Sequence, residues 1–152
     1  MQIIHKLLDY TTPWQKPDVY LFTGNSVIKN NGAIVMGRGA ALQVRDTFLG
    51  IDKIFGKLLT QTRIDEIYDP SILFHEIKPK QFIGWFKVKH HWADKADINL
   101  IEMSIRSLYA YAQDLPKITF HMNYPGIGNG RLAENDVKAL IVALPNNVII
   151  YK

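Results

Sequence analysis

The chain has 152 residues, of which 47% are hydrophobic and 21% charged, and it carries a net charge of +4. This length and balance predict one compact domain over residues 1–152. The absence of cysteine excludes disulfide scaffolds, thiolate metal sites and cysteine nucleophiles. The first ten residues include His5, Lys6 and Asp9, and no apolar run approaches the ~20 residues of a membrane span. We therefore expect a cytoplasmic protein without membrane partners.

Short runs of branched and aromatic residues predict strands, and apolar residues at steps of three and four predict helices. In chain order these are strands 2–8 and 19–23, helices 40–48 and 51–59, strands 72–77 and 81–88, helix 98–112, strand 117–122, helix 137–144 and strand 146–152. Thr11, Thr12, Pro13 and Pro17 mark a loop, and residues 60–80 are the least patterned part. The alternation of strands and helices predicts an α/β fold with helices on both faces of a sheet.

Glycines concentrate in two loops, and each loop follows a predicted strand and leads into a predicted helix. These are GAIVMGRGAALQ (32–43) and GIGNGRL (126–132). Ligands bind at the carboxyl ends of strands in open α/β sheets, where glycines let backbone N–H groups approach a phosphate. Glycines also simply make tight turns, and for either loop alone the two interpretations are equally balanced. The pair together favours a pyrophosphate cradle.

Other ligand-binding and catalytic motifs are missing from the sequence. Neither loop contains GxxxxGK[ST], and GIGNG lies too near the end of the sequence to be followed by the acidic residue and second βαβ half of a dinucleotide fold. No two histidines have metal-ligand spacing, and no serine lies in a nucleophile elbow. We therefore expect neither a metal nor a cofactor.

Three segments resemble the macrodomain, an ADP-ribose-binding family, in their order and spacing. They are DVYLFTGNS (18–26), GAIVMGRGAALQ (32–43) and YPGIGNGRL (124–132). VMGRGAALQVRDTF and FIGWFKVKHHW are similar to the branch of DNA ADP-ribosyl glycohydrolase antitoxins and related protein-deacylating macrodomains. The resemblance implies a three-layer α/β/α sandwich with a mixed, mostly parallel sheet. It also implies ADP-ribose or an ADP-ribosylated substrate as the partner.

The resemblance assigns ligand-binding roles to residues of both loops. Asn25 matches the asparagine that faces the distal ribose, although nine residues separate it from VMGRG, so that Asn30 or Asn31 remains an alternative. Asp9, just after the first strand, is a candidate for the carboxylate that accepts from the adenine amino group, and the alternative is a turn residue that opens the loop. The phosphate-binding positions are Val35, Met36, Gly37, Arg38 and Gly39 in the first loop and Gly126, Ile127, Gly128, Asn129 and Gly130 in the second.

Lys89 matches the lysine that acts at the anomeric carbon of the distal ribose, so Lys89 and Asn25 are the expected catalytic residues. The positive charge of neighbouring Lys87, His90 and His91 is expected to lower the pKa of Lys89. An uncharged lysine can attack a sugar carbon or carry a proton. The alternative is a solvated, basic strand end without a chemical role.

Positive charge also collects in residues 76–95, which contain five lysines and two acidic residues. This segment is compatible with contact to the phosphate chain of a nucleic acid, or with a role in solubility alone. Four aromatic residues in or near it are candidates for stacking on a base or for packing in the core: Trp85, Phe86, Trp92 and Tyr124.

These features leave three functional hypotheses. The first is an ADP-ribose-binding domain that hydrolyses a bond at C1'' of the distal ribose, where the leaving group is a phosphate, a nucleobase or a protein side chain. The second is a reader that binds ADP-ribose without chemistry. The third is a basic nucleic-acid-binding domain, against which the paired glycine loops argue.

Overall fold

The computed structural model describes residues 1–12 and 17–152, and Pro13 of the predicted loop lies outside them. In chain order the described elements are β1 (Gln2–Ile4), β2 (Asp18–Gly24), α1 (Gly39–Thr47), α2 (Ile51–Glu66), β3 (Ile72–Lys78), β4 (Gln81–Lys87), α3 (Ile98–Asp114), β5 (Thr119–Asn123), α4 (Glu134–Ile141) and β6 (Val148–Tyr151). None of the helices in this described part is long and apolar enough to cross a membrane.

The strands form one sheet in the order β1-β6-β5-β2-β4-β3. Every neighbouring pair is parallel except β3 and β4, which form an antiparallel hairpin. The predicted mixed, mostly parallel sheet is thereby confirmed. Because β2, β4, β5 and β6 run in the same direction, their carboxyl ends meet at one edge of the sheet, where ligands bind in open α/β folds.

The sheet is buried on both faces, which makes the fold a three-layer α/β/α sandwich. Along β2, Val19 and Leu21 pack in the core formed with α3 and α4. Phe22 points to the opposite face and packs in the core formed with α1 and α2. Successive side chains of a strand point to opposite faces, so a strand between two helical layers must be apolar throughout.

The first strand and the second helix differ in length from their predicted ranges. β1 ends at Ile4 rather than residue 8, because the Lys6 N–H donates to the Ile4 carbonyl in a tight turn that leaves the sheet. The Leu8 N–H then donates to the side chain of Asn123 at the end of β5. α2 continues to Glu66, beyond its apolar stripe, because its last turns are largely exposed and need no apolar residues.

Candidate functional site

A cleft of about 1050 Å³ opens at the edge where β2, β4, β5 and β6 end. This volume lies just above the usual range for small-molecule sites, roughly 300–1,000 Å³. Both glycine loops and the segment after β4 contribute to its walls. The residues from the sequence-based predictions that line it are Asn25, Val35, Gly37, Arg38, Gly39, Lys89, Gly126, Ile127, Gly128, Asn129 and Gly130.

The two glycine loops meet at this cleft, and both contribute to its lining. A Cβ atom on Gly39 would lie 2.8 Å from Nδ2 of Asn129. Gly39 is also the first residue of α1 and has a φ of +57°, a conformation that glycine adopts without steric cost. Among the described side chains none caps the start of α1, so its first N–H groups remain available to an anion at the helix N-terminus.

The second loop is shaped by glycines that admit close packing against α3. A Cβ on Gly126, whose φ is +78°, would lie 2.5 Å from Cδ1 of Ile101. Gly128–Gly130 form a single 3₁₀ turn, and the Gly130 carbonyl accepts a 2.9 Å hydrogen bond from the N–H of Ala96. These contacts place the second loop against the segment that joins β4 to α3.

Asn25 is buried, and its side-chain amide forms hydrogen bonds with the backbone on either side of the first loop's start. Its Nδ2 donates to the Val35 carbonyl and its Oδ1 accepts from the Val27 N–H, both at 3.0 Å. Asn25 therefore lines the cleft while holding the loop that enters it. The alternative residues, Asn30 and Asn31, are exposed and do not line this cleft.

Lys89 lines the cleft and is half-buried, with its Nζ donating to the carbonyl of Asp94 at 3.2 Å. Burial lowers the pKa of Lys89, the charges of Arg131 and Arg38 lower it further, and Asp94 opposes them. The pKa of Lys89 is therefore lowered as expected, but by burial and two arginines rather than by Lys87, His90 and His91. The neighbouring Lys87 is buried and pairs with Asp69, with an Nζ to Oδ2 distance of 3.5 Å.

Asp9 and Met36 are not brought into the cleft. Asp9 is exposed, and its carboxylate accepts hydrogen bonds from Thr11 and from the Thr12 hydroxyl, as in a turn. It lines a smaller pocket that adjoins the cleft at Leu7. Met36 is buried in the core under α1 and α2, because alternate residues of an extended segment point in opposite directions.

The basic residues between 76 and 95 do not form one surface beside the cleft. Lys78 and Lys80 lie at the β3–β4 hairpin, and β4 runs from there toward the cleft, so they lie at the opposite edge of the sheet. Within the described chain, Lys89 is the one lysine of this segment that lines the cleft. Fully buried Trp85 and Phe86 belong to the core, whereas Trp92 is 49% exposed and lines the cleft.

A buried hydrogen-bonded group of Asp18, His121 and Tyr151 was not predicted from the sequence. The Nε2 of His121 lies 2.9 Å from Asp18 Oδ2, and its Nδ1 lies 2.8 Å from the Tyr151 hydroxyl. A carboxylate only accepts, so neutral His121 donates from Nε2 to Asp18 and accepts at Nδ1 from Tyr151. Tyr151 in turn lines the cleft, which connects this group to the site.

His121 is expected to make folding pH-dependent. Burial lowers its pKa, although Asp18 opposes this, so the unfolded chain binds the proton more readily. Its contribution to stability is complete above the unfolded pKa of about 6.5 and is lost as the pH falls toward the folded value. Urea unfolding from pH 7.5 to 5 should show this loss. The loss of unfolding free energy between pH 7.5 and 5 should be smaller in the Asp18→Asn/His121→Gln variant and unchanged in the exposed His5→Gln variant. An equal loss in the wild type and both variants would contradict the role of His121.

Two further cations lie near the proposed site residues. Arg131 belongs to the second glycine loop and lines the cleft, and it could have been found because it is the one cation in GIGNGRL. Lys152 also lines the cleft and forms an ion pair with Glu134. Across residues 1–12 and 17–152, no group of three or more histidine or acidic side chains converges to hold a metal.

Solved macrodomain structures resemble this chain over nearly its whole length. The DarG macrodomain of Thermus aquaticus has a TM-score of 0.71 at 20% identity, with 99% of this chain and 95% of that chain covered. The Mycobacterium tuberculosis DarG macrodomain has a TM-score of 0.72 at 20% identity, with 99% and 97% covered. Thermosipho africanus DarTG in complex with ADP-ribose has a TM-score of 0.67 at 20% identity, with 88% of this chain but 37% of that chain covered.

No family model and no curated protein matches the sequence. The structural likeness, at this level of identity, concerns the fold. Together with the order of the strands and their shared carboxyl edge, it shows that this chain has the macrodomain fold.

Proposed function

We propose that the chain binds ADP-ribose in the cleft and hydrolyses the bond that joins the distal ribose to a substituent at C1''. The observation that carries this proposal is the close approach of the two glycine loops at the cleft, where a Cβ on Gly39 would lie 2.8 Å from Nδ2 of Asn129 and both residues line the cleft. A pyrophosphate bound along both loops would accept from the first N–H groups of α1 and from backbone N–H groups of the second loop.

The dimensions of the cleft suit an extended ligand with two different ends. Tyr151 ends β6 and Lys89 follows β4, and β5 and β2 lie between these strands. Three strand spacings correspond to roughly 14 Å. We place the adenine toward Tyr151, where the pocket that contains Asp9 adjoins the cleft, and the distal ribose toward Lys89.

The charges around the ribose end favour an anionic ligand and a reactive amine. The charges of Arg131 and Arg38 each act on Lys89 at this end, and the carboxylate of Asp94 acts on it in the opposite direction. The structure of Thermosipho africanus DarTG, which contains ADP-ribose, shares this fold. The proposal extends that ligand to this chain on the strength of the loops and the cations.

Lys89 would act as the nucleophile in the proposed hydrolysis. Its uncharged amine attacks C1'', a C–N bond forms, and the bond to the leaving group breaks while the leaving group takes up the proton that the amine loses. Water then attacks C1'', the C–N bond breaks, and the amine regains a proton. The net reaction adds one water and releases ADP-ribose and the protonated leaving group.

A reader without catalytic activity is the alternative. The amide of Asn25 is hydrogen-bonded to Val35 and Val27, which fixes its orientation and leaves one N–H and one oxygen lone pair for a ribose, and such a contact can serve binding alone. A nucleic-acid partner, if one is bound, would meet residues 89–95 beside the cleft rather than the whole segment 76–95. Such contact would weaken steeply with salt.

Binding is tested by thermal unfolding with free ADP-ribose, and with AMP and ribose 5-phosphate as matched fragments. ADP-ribose at 100 times its dissociation constant should add about 2.7 kcal/mol to stability, and neither fragment should match it at equal concentration. ADP-ribose-1''-phosphate and ADP-ribosylated DNA and protein are then assayed for release of ADP-ribose. Binding without turnover of any of them would favour the reader, and an absent ADP-ribose shift would refute both.

A further inference from the structure

Arg131 adopts a backbone conformation that an arginine rarely adopts. Its φ is +61°, and within the described residues only Ile67 and Lys80 share a positive φ without being glycine. Glycine populates this region freely, whereas other residues meet steric hindrance there. Unfavourable backbone geometry of this kind tends to occur at functional sites. The presence of arginine rather than glycine at this position therefore points to a role for its side chain.

The side chain of Arg131 reaches from the second glycine loop to the segment that carries Lys89. Its Nη2 donates to the Ala93 carbonyl at 3.4 Å. The Nζ of Lys89 donates to the next carbonyl, that of Asp94, at 3.2 Å. Two cations from different parts of the fold therefore hold adjacent carbonyls of one segment.

A backbone contact joins the same two parts of the chain. The Ala96 N–H donates to the Gly130 carbonyl at 2.9 Å, immediately before Arg131. The loop that would cradle the pyrophosphate and the segment that positions the amine are thus connected by a backbone hydrogen bond and by the Arg131 side chain. Movement of one would displace the other.

We propose that Arg131 is a positioning residue for Lys89, which ties the second glycine loop to the segment after β4 and holds the Lys89 amine beside the ribose end of the cleft. This inference rests on the proposed function, in which Lys89 acts at C1''. Arg131 acts through Lys89 and the loop and does not itself take part in bond cleavage.

The charges that face Lys89 support this role. Arg131 from the second loop and Arg38 from the first both lower the pKa of Lys89, after burial, while Asp94 on the same segment raises it. The remaining cation of the cleft, Lys152, is paired with Glu134. A fixed arginine near the amine favours its uncharged form, which is the form able to attack a sugar carbon.

The test compares Arg131→Gly with Arg131→Lys and with a matched control, Lys80→Gly. Glycine removes the side chain and relieves the positive φ, so Arg131→Gly should unfold at the same or a higher temperature than the wild type. Lys80 has a φ of +64° and lies at the opposite edge of the sheet. Lys80→Gly therefore makes the same change of charge and backbone without affecting the cleft.

Two measurements decide the proposal. NMR titration of lysines labelled at Cε should show a higher pKa for Lys89 in Arg131→Gly, an unchanged one in Lys80→Gly and partial recovery in Arg131→Lys. Turnover near pH 7 should fall about tenfold in Arg131→Gly, the scale of coupling between contacting residues. The acid limb of the pH profile should move to higher pH, with little change in affinity for ADP-ribose.

An unchanged pKa of Lys89 in Arg131→Gly would overturn the proposal. If the same variant also lost much of its affinity for ADP-ribose, Arg131 would instead be a residue that contacts the ligand. Failure of the proposed function is distinguishable from this result. A wild-type protein that hydrolyses none of the ADP-ribosylated substrates would refute the hydrolase, while the Lys89 titration would still decide whether Arg131 acts on Lys89.

Discussion

Substitution of Lys89 by alanine is expected to lower the rate of hydrolysis at the distal ribose about 10³-fold, within the range that positioned nucleophiles and proton carriers contribute. The side chain lines the cleft and donates one hydrogen bond, to the Asp94 carbonyl. Its loss should cost about 1 kcal/mol of unfolding free energy, so the variant remains folded. Release of ADP-ribose, measured by chromatography at saturating substrate, gives the rate.

Lys78→Ala is the matched control for this variant. Lys78 is exposed, belongs to the same lysine-rich segment and lies at the opposite edge of the sheet, so turnover should remain unchanged. Affinity for ADP-ribose, measured by calorimetry, should change less than about threefold in Lys89→Ala, because in the proposed binding mode the glycine loops hold the pyrophosphate. Equal turnover in Lys89→Ala and the wild type would contradict the role of Lys89.

The Gly39→Ala variant should lose affinity for ADP-ribose by about tenfold or more, because a lost hydrogen bond to a charged group is worth about 1.5–3 kcal/mol. The added Cβ would lie 2.8 Å from Nδ2 of Asn129, so that amide must move. The φ of +57° also becomes strained, at a cost of roughly 1–2 kcal/mol. Relief of that strain would turn the first N–H groups of α1 away from the cleft.

Gly32→Ala is the control that separates backbone strain from disturbance of the cleft in Gly39→Ala. Gly32 has a φ of +84°, and of the described chain no atom lies within 4 Å of a Cβ placed there. It is exposed and does not line the cleft. Calorimetry and urea unfolding should show a comparable loss of stability in both variants but a loss of affinity in Gly39→Ala alone. Equal affinities would argue against a ligand between the loops.

Sequence patterns predicted the elements well where a helix or strand buries an apolar face. The predicted helix 98–112 corresponds to α3, where the side chain of Asp97 caps the first turn by accepting from the Asn99 N–H at 2.8 Å. The predicted order of strands and helices and the three-layer fold were confirmed for the same reason. The predicted ends of the elements were less accurate where burial ends, as at β1 and in the exposed last turns of α2.

The candidate site was partly predictable because two glycine loops, each following a strand, together favour a phosphate cradle over a simple turn. Both loops line the cleft, and so do Asn25 and Lys89. Met36 and Asp9 do not, since the direction of a side chain in an irregular loop depends on contacts that sequence spacing does not specify. The lysine-rich segment does not lie beside the site as a whole, because the β3–β4 hairpin places Lys78 and Lys80 at the far edge of the sheet.

The sequence alone determined the α/β class, the two glycine loops and the macrodomain resemblance, because periodicity and turn formation depend on residues that are close together in the sequence. The tertiary structure decided which charged groups meet. Arg131 and Arg38 act on Lys89, Lys87 is paired with Asp69, and His121 is buried between Asp18 and Tyr151. Electrostatic interactions depend on distance and burial, and these are known only once the strands have been placed side by side.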